Sequence, residues 1–178
     1  MALKVTYLED LKVLKHQVPA YNLIPNTSVQ HKPLLIYKSV FSNATASGIE
    51  SLLYDMGVVT PQWRFTMYTT SHFHSTSHEV LAVTSGKATI CFGHEDNPGK
   101  VTCDLEKGDL AVIPAGVAHR LLEVLEGDFS MVGSYPKGYN WDMCYGTHAE
   151  EEKIVKIKEL PWFDRDPVYG DKGPVLDV

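Results

Sequence analysis

Apolar residues in this chain come in short blocks rather than long helical periods, and most blocks read as strands. PLLIYKSVF (33–41) is rich in β-branched and aromatic residues. From Thr60 onward a series follows: WRFTMYTT (63–70), VLAVT (80–84), KATICFG (87–93), VTCDL (101–105), LAVIP (110–114), HRLLEVL (119–125) and DFSMVG (128–133). Turn residues separate them: Ser-Gly at 85–86, HEDNPG at 94–99, Lys-Gly-Asp at 107–109 and Glu-Gly-Asp at 126–128. Short strands at this spacing predict an antiparallel sandwich or barrel. One segment has the helical period instead. Ile49, Leu52, Leu53 and Met56 share a face, Ser47 and Glu50 offer a capping box (with Asn43 as an earlier start), and Gly57 is placed to stop the helix. Residues 1–33, interrupted by Pro19, Pro25 and Pro33, read as an arm with a short strand. The other end reads as a strand, KIVKIKEL (153–160), followed by the surface segment DPVYGDKGPVLDV.

The bulk numbers narrow the partners. With 178 residues the chain suits one domain with a sizeable core, and 44% hydrophobic and 21% charged residues are ordinary for a globular protein. A net charge of −6, with Lys and Arg scattered, argues against a nucleic-acid surface. No apolar run approaches the roughly 18 residues of a membrane span. The start, MALKVTYLEDLKV, lacks a continuous apolar stretch and a small-residue cleavage site, so the expectation is a cytoplasmic protein. Cys91, Cys103 and Cys144 are odd in number and far apart, and read as free, buried or half-buried thiols.

Chemistry concentrates in one stretch, His72-Phe-His74-Ser-Thr-Ser-His78-Glu79. Residues two apart on a strand share a face, so His72 and His74 project side by side. Ser75-Thr76-Ser77 is able to turn the chain, returning Glu79 on the next strand. His119 follows 40 residues later, after the turn at Pro114-Ala-Gly116. Imidazole nitrogens with one carboxylate oxygen suit a borderline divalent ion: Fe, Mn, Co, Ni, Cu or Zn. Four such ligands leave open positions for water or substrate, the mark of a catalytic site. His16, His31, His94 and His148 stand apart and read as ordinary polar residues.

The spacing resembles that of the cupin superfamily. His72-x-His74, four residues, Glu79, six residues and Gly86 follow its first motif; Gly108, five residues, Pro114-x-Gly116, two residues and His119 follow its second. Thr66 stands where the family has a glycine, and Glu123 where its second motif ends in asparagine. HFHSTSHEVLAV (72–83), VGSYPKGYNWDM (132–143), IPNTSVQHKPLLIYKSVF (24–41) and DPVYGDKGP (166–174) further resemble the YjlB-like branch of single-domain cupins. The resemblance implies an all-β double-stranded β-helix (a jelly-roll barrel) with one or two short helices. It implies a single domain over 1–178, with a core at about 60–135, an N-terminal arm at 1–59 and a C-terminal arm at 136–178. It also implies a homodimer, and one metal held by His72, His74, Glu79 and His119.

Side-chain parity leaves alternatives. On an uninterrupted strand His78 rather than Glu79 faces the histidines; the serine-rich turn breaks that count, which favours Glu79 as ligand and His78 as a proton-transfer residue. Glu123, four residues past His119, is either a general acid or base or a residue of the barrel rim. Arg64, Thr66, Tyr68 and Thr70 share the parity of His72. Arg64 therefore either grips a substrate carboxylate or forms a structural salt bridge, and Tyr68 joins the substrate surface. Beyond them, the aromatics of 135–142 either pack over a barrel end or form a lid. The expected function is a metal-dependent enzyme acting on a small organic molecule with oxygen donors, with a dioxygenase favoured. The alternatives are a non-redox decarboxylase, isomerase or cyclase, or a non-catalytic ligand-binding module.

Overall fold

The computed structural model describes residues 1–178. In chain order its elements are β1 (Lys4–Val5), β2 (Lys12–His16), β3 (Leu34–Lys38), β4 (Phe41–Ser42), α1 (Ala46–Met56), β5 (Val59–Phe65), β6 (Glu79–Phe92), β7 (Val101–Glu106), β8 (Leu110–Ile113), β9 (His119–Pro136) and α2 (Glu151–Lys156). Strands β1 and β4 form a small ribbon. The main sheet runs β2-β3-β8-β6-β9-β5, with β7 also paired to β6, and every pairing is antiparallel. The architecture is that of a jelly-roll barrel.

Two long strands make the barrel. The first half of β6 lies between β8 and the end of β9; its second half lies between β7 and the start of β9. The turns expected at Ser85-Gly86 and at Glu126-Gly127-Asp128 are bulges, and both strands continue through them with shifts of register. Gly86, at φ +71°, lies so close to β9 that a Cβ there would stand 2.7 Å from the Glu126 carbonyl oxygen. Only glycine allows both that backbone and that approach, so the paired strands bend together.

The apolar runs follow from burial on both faces. Leu34, Ile36, Leu81, Val83, Ala111 and Ile113 fill the barrel. Their neighbours Leu35, Tyr37, Val80, Ala82, Leu110 and Val112 point the other way. There they are covered by Ile49 and Leu53 of α1 and by Phe163, Val168 and Val175 of the tail. A strand with no wet face has no reason to alternate, which is why LLIY, VLAV and LAVI read as continuous blocks. Each Leu, Ile or Val among them contributes about 1.5–3 kcal/mol by leaving water.

Three local expectations are corrected. The α1 cap is Thr45, in extended conformation, whose Oγ1 accepts from the Gly48 amide; Glu50 instead pairs with Arg64. The strand expected over 63–70 ends at Phe65, where its pairing with β9 stops at Met131. The strand expected over 153–160 is the short helix α2 followed by a 3-10 turn. Thr147 and Glu150 start this helical segment with a reciprocal capping box, and Ile154, Ile157 and Leu160 turn inward beside Phe73 and Ala118.

Candidate metal centre

His72, Phe73 and His74 lie in a short extended segment bridged on both sides. His72 pairs with His119, and Phe73 with Cys144. Buried Phe73 anchors the segment, so the histidines flanking it turn together into the barrel. His119 is set by the turn before it. Gly116, at φ +94°, packs against Pro25 and Asn26 and donates its amide to the His74 carbonyl, while the Ala118 amide donates to Asn26 Oδ1. Glu79 opens β6 two residues before Leu81, which lies inside the barrel. Glu79 thus faces the histidines.

The ring orientations are fixed from behind. Nδ1–H of His72 donates to the Thr70 carbonyl (2.8 Å), that of His119 to the Val117 carbonyl (3.0 Å), and that of His74 to the Asp142 carbonyl. A carbonyl only accepts, so each imidazole carries its proton on Nδ1 and offers an Nε2 lone pair to the interior. One ligand atom from each of the three rings lies within 4.8 Å of the others. Glu79 Oε2 lies 3.2 Å from Nε2 of both His74 and His119. Neither Glu79 Oε2 nor His74 Nε2 has a hydrogen-bond partner, and both residues are buried. Lone pairs facing one another in a dry site require a cation between them, a proton or a metal ion. The donor set therefore fits a divalent transition metal, which His72, His74 and His119 would hold with the Glu79 carboxylate beside them.

The titration behaviour has the same origin. Burial, aided by the neighbouring His119, holds His72 down to about 3. For His74 burial opposes the charge, but the Glu79 carboxylate outweighs it and raises the value. Burial likewise pushes Glu79 up, yet His74 and His119 leave it well below the usual carboxylate range.

The other predicted residues lie as follows. His78 points away from the histidines, into the tail. Its Nε2–H donates to the Pro161 carbonyl (3.1 Å), its Nδ1 accepts from the Ala115 amide (2.9 Å), and its ring packs on Trp162 and Phe163. Both nitrogens are committed, which leaves none for moving a proton. Glu123 is exposed: a bulge pairs Thr89 with Glu123 but Ile90 with Leu121, so the parity with His119 fails. Arg64 lies on the cavity rim but is held in a bidentate pair by Glu50 (2.6 and 2.7 Å). Tyr68, no longer on a strand, is half-exposed and sets its ring edge-on to His72 at 5.6 Å.

Two supports escaped the sequence. The Tyr135 hydroxyl donates to Glu79 Oε1 (2.7 Å) and accepts from Trp63 Nε1–H (2.8 Å). Asp142 accepts from the Ser75 amide and hydroxyl while its carbonyl holds His74. Tyr135 was readable in one respect, since it is four residues past Met131, inside the barrel, and so on the same face of β9. The Trp63 ring crosses β9 over Gly133, where a Cβ would come within 2.1 Å of it. Tyr135→Phe is expected to weaken metal binding about tenfold without unfolding the protein, because it frees one oxygen of Glu79 and strands the Trp63 N–H. Competition with a chelating dye would measure this; unchanged affinity would show that Glu79 needs no such support.

His78 gives a pH prediction. Burial lowers it from 6.5 to about 4. The unfolded chain takes up its proton below 6.5 while the folded one stays neutral. Stability is therefore fully present above 6.5 and falls as pH drops toward 4, by on the order of 3 kcal/mol. Urea unfolding of metal-free protein should follow this slope, and His78→Asn should flatten it.

The ligand set opens onto a cavity of about 270 Å³ lined chiefly by Trp63, Phe65, Met67, Leu81, Met131, Trp141 and Met143. All three cysteines are free. No helix is long and apolar enough to cross a membrane.

Residues 65–132 match the Cupin domain family. Over 147 residues, 82% of this chain and 85% of its relative, the sequence is 32% identical to the uncharacterized protein YjlB of Bacillus subtilis (strain 168). Similar solved structures include procruciferin, an 11S globulin from Brassica napus (15% identical, TM-score 0.38, 71% of this chain). This chain spans only 30% of that globulin's length. Another is RmlC, the dTDP-6-deoxy-D-glucose-3,5-epimerase of Legionella pneumophila Philadelphia 1 (15% identical, TM-score 0.37, 72% of this chain and 74% of that one).

Proposed function

Because this chain belongs to the cupin family together with Bacillus subtilis YjlB, we propose that it is a metal-dependent enzyme acting on a small organic molecule with an oxygen donor, and that it is a dioxygenase. One observation carries the choice of chemistry: apart from the solvent-exposed phenol of Tyr68, the cavity wall offers no free acid or base. Of its ionisable side chains, His72, His74, Glu79 and His119 form the ligand set, Arg64 is paired with Glu50, and Tyr135 donates to Glu79. Only Tyr68, half-exposed at the mouth, remains. Isomerisation, cyclisation and decarboxylation all need a proton delivered or removed at a defined atom. Incorporating both atoms of dioxygen into the substrate needs no outside reductant, and the one proton shed when a phenol or enol binds as its anion can leave to solvent through the open mouth.

When bound, the metal supplies charge stabilisation for the substrate oxygen and, if redox-active, access to dioxygen. The chain's own contribution is orientation. Backbone carbonyls fix the three imidazoles, Tyr135 steadies Glu79, and the apolar wall excludes water. Oxygen uptake by iron- or copper-loaded protein with phenols and enols tests the reading. Substrate-dependent uptake that His74→Ala abolishes supports it. Turnover of the same compounds by manganese- or zinc-loaded protein without oxygen uptake would replace it with the non-redox alternative.

The same reading makes the protein a cytoplasmic homodimer. The three free thiols fit a reducing compartment, and β2 ends the main sheet with its outer edge unpaired. Analytical ultracentrifugation tests the dimer.

A further inference from the structure

The walls of the cavity carry more information than its floor. Apart from the hydroxyls of Thr66 and Tyr68, the polar side chains lining the cavity beside the ligand set are already committed to partners. Trp63 Nε1–H is spent on Tyr135, and the Tyr135 hydroxyl on Glu79. The Arg64 guanidinium is closed by both oxygens of Glu50 and reaches Ser47 as well. No lysine lines the cavity. What remains facing the open space is aromatic and thioether surface. Trp141 lies near-parallel to Tyr135 (26°, 6.4 Å between centroids) and 5.9 Å from the His74 ring. It is 40% exposed, as an aromatic plane at a cavity mouth would be before a ligand covers it.

Charge restricts the ligand further. The three histidines carry their single protons on Nδ1 and are neutral as ligands, so Glu79 brings the one uncompensated charge of the wall. A divalent ion among them leaves a net charge of +1, enough for one anionic oxygen. A dicarboxylate or tricarboxylate would bury further charge with no cation to meet it, a penalty of several kcal/mol per ion. Size sets the last limit. A dry cavity of about 150 Å³ holds benzene, and this one measures about 270 Å³.

We infer that the cavity takes a planar aromatic or conjugated molecule of one or two rings that presents a single phenol or enol oxygen to the metal, with Trp141 stacking on its ring. This substrate class rests on the metal-dependent reading above. It leaves Arg64 in its structural salt bridge with Glu50, the second of the two roles expected of it.

Calorimetric titration of 2-naphthol, oxalate and citrate into zinc-loaded and metal-free protein tests it; zinc keeps the chemistry silent. 2-Naphthol is expected to bind the zinc form about a hundredfold more tightly than either carboxylate, and the metal-free form about tenfold less tightly than the zinc form. Trp141→Ala should weaken naphthol binding about tenfold in both forms, and Trp141→Phe should restore most of it. The inference is overturned if oxalate or citrate binds the zinc form as tightly as naphthol, if naphthol binds neither form, or if Trp141→Ala changes nothing. A protein that takes up no zinc contradicts the proposed function instead. In that case the metal-free titrations with Trp141→Ala still decide whether the wall selects aromatic ligands.

Discussion

A His74→Ala protein is expected to bind Zn²⁺ or Mn²⁺ at least a hundredfold more weakly than the wild type while keeping its fold. His74 has the most completely specified ring of the three. Its Nδ1–H is held by the Asp142 carbonyl, its Nε2 lies 3.2 Å from Glu79 Oε2, and its backbone carbonyl receives the Gly116 amide. Loss of a group that merely orients a ligand costs about ten- to a hundredfold in metal affinity, and loss of the ligand costs at least as much. The fold should survive because Phe73, not His74, anchors the segment in the core. Competition with a chelating dye measures the affinity and circular dichroism the fold. Glu123→Gln is the matched control: its side chain is exposed and off the cavity, so its affinity should be unchanged.

The largest loss of stability is expected far from this centre. Asp166 is fully buried in the C-terminal tail. It accepts from the Tyr37 hydroxyl (2.7 Å) and from the amides of Val168 and Tyr169 (2.9 and 3.0 Å). Burial, then the Asp166 charge, holds the Tyr37 phenol protonated far above its ordinary value. Tyr37 sits in β3 beneath the tail, so the carboxylate fastens the outer cover to the sheet. Asp166→Ala leaves a buried hydroxyl and two amides without partners, a cost of about 3–5 kcal/mol. For a chain of this size that corresponds to a fall of about 10 °C in Tm. Asp166→Asn keeps an acceptor for the two amides and should lose less. A thermal melt separates the cases; a fall of under about 2 °C for the alanine variant would mean that the tail contributes little to stability.

The histidines were readable because their chemistry depends on spacing alone. Two residues apart on extended chain is the same face, and His72-x-His74 needs no more than that. Longer counts failed wherever the chain bulged. Arg64 and Tyr68 lost their parity with His72 when β5 ended at Phe65, and Glu123 lost its parity with His119 at a bulge near Leu121. In space β6 turns odd-numbered Glu79, Leu81 and Val83 inward and His78 out toward Trp162, an arrangement that favours Glu79 over His78 as the fourth ligand. Gly86 and Gly127 looked like turns because a glycine read locally cannot reveal that the strand continues beyond it. The 153–160 segment reads locally as a strand because of β-branched Ile154 and Val155, whereas the chain enters a helix there through the Thr147–Glu150 box. Tyr135 and Asp142 act through hydrogen bonds that span 56 and 67 residues of chain, to Glu79 and Ser75. No local pattern encodes such distances.

Elemental analysis bears most directly on the central claim that His72, His74, Glu79 and His119 hold one divalent transition metal. Protein purified without chelators, and again after reconstitution with single metals, should carry about one equivalent per chain, and the His74→Ala protein far less. Less than about a tenth of an equivalent in the reconstituted wild type, or full occupancy in the variant, would contradict it.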